Sequence, residues 1–125
     1  MTGTYRLNWD TAELRLELAC RGLWDAPVMR HFDQDFRATL TRLPRSGWTL
    51  LADLRGTGGW APDLHSVVAD LMTISRDRGM TRGAVVVSKQ SGPTQKRHAT
   101  STAFVQSVEE ARALLDSPER WASRP

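Results

Sequence analysis

The sequence predicts an α/β domain with a mixed, mostly parallel sheet of four to five strands, an N-terminal hairpin and three to four helices. Three observations carry this. Apolar residues alternate with a period of two between Thr4 and Cys20, as in strands with one buried face. Two later segments space their apolar residues three and four apart, as amphipathic helices do. Between and after them lie short, almost wholly apolar runs, the pattern of strands covered on both faces.

Tyr5, Leu7 and Trp9 alternate with Thr4, Arg6 and Asn8, which predicts the first strand. Asp10-Thr11-Ala12-Glu13 reads as a turn. Leu14, Leu16, Leu18 and Cys20 then share one face of a second strand, with Arg15, Glu17 and Ala19 on the other, and the two strands form a hairpin. After Gly22, Asp25 and Pro27 mark a helix start, because proline has no N–H to lose there and an acid suits the helix dipole. Val28, Met29, Phe32, Phe36, Leu40 and Leu43 form its apolar stripe, and Pro44-Arg45-Ser46-Gly47 ends it. Trp48 to Leu54 is a central strand.

A glycine-rich loop, Arg55-Gly56-Thr57-Gly58-Gly59-Trp60, leads to Pro62 and a second helix. Its stripe is Leu64, Val67, Val68, Leu71 and Ile74 or Ser75, with Gly79 placed to stop it. Ala84 to Val87 is a further buried strand. Lys89 to Thr102 is polar, and Thr94 to Thr100 forms a short helix or an irregular link. Ala103-Phe104-Val105 is the last strand. Ser107-Val108-Glu109-Glu110 is a capping box opening a helix that turns Val108, Ala111, Leu114 and Leu115 inward. Ser117-Pro118-Glu119 begins a final turn around Trp121. Single helices joining strands require parallel pairing with right-handed crossovers.

At 125 residues and 40% hydrophobic, residues 1–125 are expected to form one domain. No apolar run is long enough to span a bilayer and no signal-peptide pattern opens the chain, so the expected location is cytoplasmic. A single cysteine excludes an internal disulfide and the paired thiolates of a structural zinc site. The net charge of +3 is spread along the chain and, apart from Lys89 and Lys96, carried by arginine. A clustered basic arm would point to nucleic acid; this distribution does not. Lys89 to His98 is the densest basic stretch.

Residues that could carry chemistry are few. Gly56-Thr57-Gly58-Gly59-Trp60-Ala61 matches a dinucleotide fingerprint in form, yet Pro62 removes one amide donor and Asp63 places a negative charge where the phosphate would rest. No cofactor is expected. Cys20 alternates with buried leucines and should be an inert thiol. His31 and Asp35 share a helix face near Asp33 but lack a second histidine in register, and His65 and His98 have no helpful spacing, so no metal or catalytic set is assigned. Trp60, in a loop at the carboxyl end of a central strand, suits either an interface or a packing lid.

The closing run Phe104-Val105-Gln106-Ser107-Val108-Glu109-Glu110-Ala111-Arg112-Ala113-Leu114-Leu115 resembles the ending of SpoIIAA-like domains in the STAS-like superfamily, relatives of anti-sigma-factor antagonists. The hairpin ending in Gly22-Leu23-Trp24 and the strands Leu50–Leu54 and Ala84–Val87 strengthen the resemblance, which covers almost the whole chain. It implies a regulatory or protein-interaction module without enzymatic activity. In regulatory members, a phosphorylatable serine or threonine after an aspartate opens the second helix. Here that place reads Ala61-Pro62-Asp63-Leu64-His65-Ser66, so the hydroxyl is missing, and Asp63 is expected to cap the helix. The expected interaction surface comprises Arg55, Thr57, Gly58, Gly59, Trp60, Asp63 and Ser66, and its partner is another protein or a second copy. A small apolar ligand or lipid held between helices and sheet is the first alternative. An enzyme whose site leaves no linear motif is the second.

Overall fold

Alternation in the hairpin and the apolar runs after it translate into a single five-stranded sheet in the computed structural model, which describes residues 3–22, 26–57, 64–87 and 102–117. The elements are β1 (Thr4–Asp10), β2 (Arg15–Gly22), α1 (Ala26–Leu40), β3 (Trp48–Thr57), α2 (Leu64–Asp77), β4 (Met80–Val86), β5 (Thr102–Val105) and α3 (Val108–Leu115). Strand order follows the chain, β1-β2-β3-β4-β5. Only β1 and β2 are antiparallel, and every later pairing is parallel, as the helix-linked strand pattern requires.

The hairpin closes where Asp10 Oδ1 accepts from the Ala12 and Glu13 amides at 3.0 and 3.1 Å, confirming the predicted turn. Leu14 departs from its predicted place on the buried face. It has a φ of 52° and is 43% exposed, because the turn needs a left-handed residue just before β2 begins. Arg15, predicted on the polar face, is instead buried with Thr49.

Alternate residues of the central strands feed two cores. On one face Leu16, Leu18, Leu50, Ala52, Val85 and Phe104 pack under α1 and α2, which contribute Phe32, Phe36, Leu40, Leu71 and Met72. On the other, Leu51, Ala84, Val86, Ala103 and Val105 meet Ala111, Leu114 and Leu115 of α3. The α1 stripe is as predicted, though Leu43 packs from beyond the helix end. In α2, Met72 is buried although the predicted stripe omits it, and Ser75 is fully buried with its hydroxyl donating to the Leu71 carbonyl at 2.7 Å.

The expected loop is a strand for half its length. β3 runs through Arg55, Gly56 and Thr57, with Arg21 beside Gly56 and Gly22 beside Thr57. A register shift after Ala19 brings the strands so close that a Cβ on Gly56 would lie 2.8 Å from Arg21 Cγ and 3.0 Å from the Cys20 carbonyl oxygen. The glycine is there for close approach of two strands. β4 likewise starts early, at Met80, directly after Gly79 ends α2 with a φ of 108°.

Ser107 caps α3 as predicted, its Oγ accepting from the Glu110 amide at 3.0 Å. The reciprocal bond is displaced by one residue, with Glu110 Oε1 accepting from the Gln106 amide at 3.4 Å instead of from Ser107. Gly58, Gly59, Trp60, Pro62, Asp63, segment 88–101 and the turn around Trp121 lie outside the described residues.

Candidate functional site

The three helices among the described residues do not cover the sheet evenly. α3 packs chiefly on β3, β4 and β5, and among the described residues it reaches β2 only through Arg112 to Glu17 and through Asp116 to buried Arg15, which leaves Glu17 and Ala19 half-buried and Arg6 and Asn8 of β1 exposed on the same face. That face carries the polar half of the hairpin alternation. Arg6 pairs across to Ala19, and Ala19 to Asp53; one row along, Asn8 pairs to Glu17 and Glu17 to Leu51. Ala19 is the small residue at the centre, so its neighbours rise around a depression. Val108 and Arg112 of α3 wall the far side. The result is an open groove of about 390 Å³ lined by Arg6, Asn8, Glu17, Ala19, Asp53 and Arg112 among others.

Charge in the groove is largely paired. Arg112 Nη2 stands 3.5 Å from Glu17 Oε1. Arg55 holds Asp53 bidentately, with Nε donating to Oδ1 and Nη2 to Oδ2, both at 2.9 Å, and its amide adds a longer bond at 3.2 Å. Burial works to raise the Asp53 pKa, but the Arg55 hydrogen bonds and the Arg55 and Arg21 charges outweigh it and leave the carboxyl below its usual value. Asp53 raises the Arg55 pKa in turn, with help from the Glu109 charge. The Arg6 side chain is exposed and makes no hydrogen bond or ion pair among the described residues.

On the opposite face a second groove, of about 320 Å³, opens between α1 and α2. Met29, Phe32, Phe36, Leu71 and Ile74 make it apolar, and Asp33, Arg37 and Asp70 line it as well. Asp33 pairs with Arg37 at 3.0 Å, and Asp35 accepts from the Tyr5 hydroxyl, so both carboxylates beside exposed His31 have partners. Burial first, then the hydrogen bond to Asp35 and its charge, push Tyr5 up to about 12. Cys20 is buried, and burial with the charge of Asp53 pushes its thiol up to about 12 as well, which makes it the inert group its alternation predicts.

Of the predicted interaction surface, Arg55 is placed at the end of β3, paired to Asp53 and 44% exposed in its side chain. Thr57 closes the same strand, and Ser66 lies in the first turn of α2. Gly58, Gly59, Trp60 and Asp63 fall outside the described residues. Sequence reasoning missed the groove itself. Its signal is present, as an unbroken polar row in the hairpin interrupted only by Ala19, but the register that gathers Arg6, Asp53 and Arg112 is a property of the folded sheet.

The architecture is that of the SpoIIAA-like α/β fold. A solved structure of an uncharacterised DUF3478-family protein from Shewanella loihica PV-4, described as having a SpoIIAA-like fold, superimposes with a TM-score of 0.59 over 91% of this chain and 94% of its own, at 14% identity. The likeness is one of fold. No family model and no curated protein matches the chain.

Proposed function

We propose that this chain is a non-enzymatic, regulatory protein-interaction module whose partner engages the charged groove and the adjoining end of β3 at Arg55. The observation that carries the reading is the half-covered sheet face, which presents a shaped, hydrogen-bonding surface beside α3. Asp53 is a poor candidate for proton transfer, since Arg55 holds it ionised and it is therefore a weak base at neutral pH. Arginine is the dominant cation at this surface, and its planar fork favours protein contacts. Control of binding would not run through a hydroxyl at the start of α2, where the sequence offers Asp63.

The test is site-specific photo-crosslinking in cells. A crosslinker replacing Arg55 should yield a discrete protein adduct, while one replacing Arg30, exposed on α1, should not. Equal labelling from both positions, or none from either, would overturn the reading.

The apolar groove between α1 and α2 supports a second reading, a carrier of a small apolar molecule. Its volume of about 320 Å³ falls near the lower end of ordinary ligand pockets, roughly 300–1,000 Å³. Native mass spectrometry of freshly purified protein checks it: a co-purifying apolar species supports the carrier, and its absence leaves the interaction module alone.

A further inference from the structure

We infer that the free edge of β1 binds a second copy of this chain, the two β1 strands pairing antiparallel about a two-fold axis through Asn8. β1 ends the strand order and, among the described residues, pairs only with β2. Proteins usually blunt such edges with charged side chains, lysine above all, or with proline, a bulge, a cover or extreme shortness. β1 has no proline, lysine or bulge, and its two charges, Arg6 and Asp10, are of opposite sign and can pair between copies. It is seven residues long, reads Thr-Tyr-Arg-Leu-Asn-Trp-Asp, and pairs with β2 without a register shift. The opposite edge, β5, is four residues long.

Two features of β1 select a second copy as the occupant. On the core face, Tyr5, Leu7 and Trp9 are only half-buried, so among the described residues the apolar layer is incomplete at this edge. On the groove face, Arg6 has no partner among the described residues, and Asp10 engages the turn amides through Oδ1 alone. An antiparallel pair centred on Asn8 satisfies both. It sets Arg6 opposite the other copy's Asp10 twice, lays Leu7 against Trp9, and brings the two Asn8 amides together. Moving the axis to Arg6 would oppose like charges. Moving it to Leu7 would set Arg6 against Asn8 and Asp10 against Thr4, with no direct ion pair.

The contact is isologous and closes as a dimer. Because the axis is perpendicular to the sheet, both grooves come to lie on the same side of one continuous ten-stranded sheet. The inference stands apart from the identity of any other partner, and purified protein tests it.

Analytical ultracentrifugation of the full chain should show a dimer that Arg6→Lys retains and Arg6→Glu weakens by about tenfold or more, as like charges set opposite each other demand. Asn8→Cys supplies the geometric check. Directly opposed residues in an antiparallel pair have Cα atoms about 4.5–5.5 Å apart, within disulfide range, so mild oxidation should link the copies. Thr4→Cys, on the same face but away from the axis, should not crosslink, and buried Cys20 does not compete. A wild-type chain that remains monomeric, or a dimer in which Asn8→Cys links no better than Thr4→Cys while circular dichroism shows both folded, overturns the proposal.

Discussion

Arg15 and Asp116 stand 101 positions apart in the chain, yet Arg15 Nη2 donates to Asp116 Oδ1 at 2.6 Å while its Nε donates to Thr49 Oγ1 at 3.1 Å. The guanidinium at the start of β2 thereby fixes the residue that ends α3. The pair is asymmetric in its solvation, with the Arg15 side chain 5% exposed and that of Asp116 55%. Asp116→Ala should therefore cost about 1–2 kcal/mol, between the values for exposed and buried pairs. Arg15→Met, which keeps the stem and removes the charge, should cost less than Arg15→Ala. Urea unfolding of the single and double variants would show the coupling, and strictly additive losses would rule it out.

Two glycines share a left-handed backbone and differ in their surroundings. Gly79 has a φ of 108°, and a Cβ there would fall 2.1 Å from the Arg45 carbonyl oxygen; Gly47, at 87°, has no such neighbour within 4 Å. Gly79→Ala should destabilise by about 2–4 kcal/mol, combining backbone strain with a clash against main chain. Gly47→Ala should lose only the conformational part, about 1 kcal/mol. Thermal unfolding would test the ordering, and equal losses would contradict it.

Cys20 and Tyr5 both favour their protonated forms in the folded chain, with pKa values pushed up to about 12. Above the unfolded pKa values, the unfolded state binds fewer protons than the native one, so stability falls as pH rises from about 9 towards 12. Cys20→Ala should flatten part of that decline. At neutral pH, a thiol reagent should label Cys20 only as fast as the protein opens, and fast labelling of the native state would show that the thiol is accessible.

Asp53 titrates in the other direction. Its carboxyl lies below the usual aspartate range, so the stabilisation from Arg55 is complete above about pH 5 and is lost as pH falls through the folded pKa. Asp53→Asn should destabilise the protein at neutral pH and converge on the wild type only as pH falls below the folded pKa of Asp53. An NMR titration placing the Asp53 carboxyl at or above an ordinary aspartate value would refute the assignment.

Local signals carried the reading of the fold. Period-two alternation placed β1 and most of β2, three-and-four spacing placed α1, and the serine cap placed α3. Errors arose where tertiary contact overrode local pattern. Arg15 looks like a surface residue until Thr49 and Asp116 arrive from distant parts of the chain. Gly56 looks like a loop glycine until β2 approaches within a Cβ radius. Leu14 looks like a core leucine, but turn geometry rotates it outward. Arg55 was identified, whereas the groove beside it was not, because Ala19 acquires its meaning only from the strands on either side.

α3 is eight residues long, too short to be helical in isolation, and it is held by contacts at its two ends and along one side. Ser107 anchors the start, and Arg15 and Arg82 fasten the end, the latter donating to the Leu115 carbonyl at 3.0 Å. This helix is also one bank of the charged groove. Recognition at the groove is thus tied to a helix too short to stand alone: whatever grips Arg112 also braces α3, and hydrogen exchange in α3 would slow on complex formation even at amides the partner never touches.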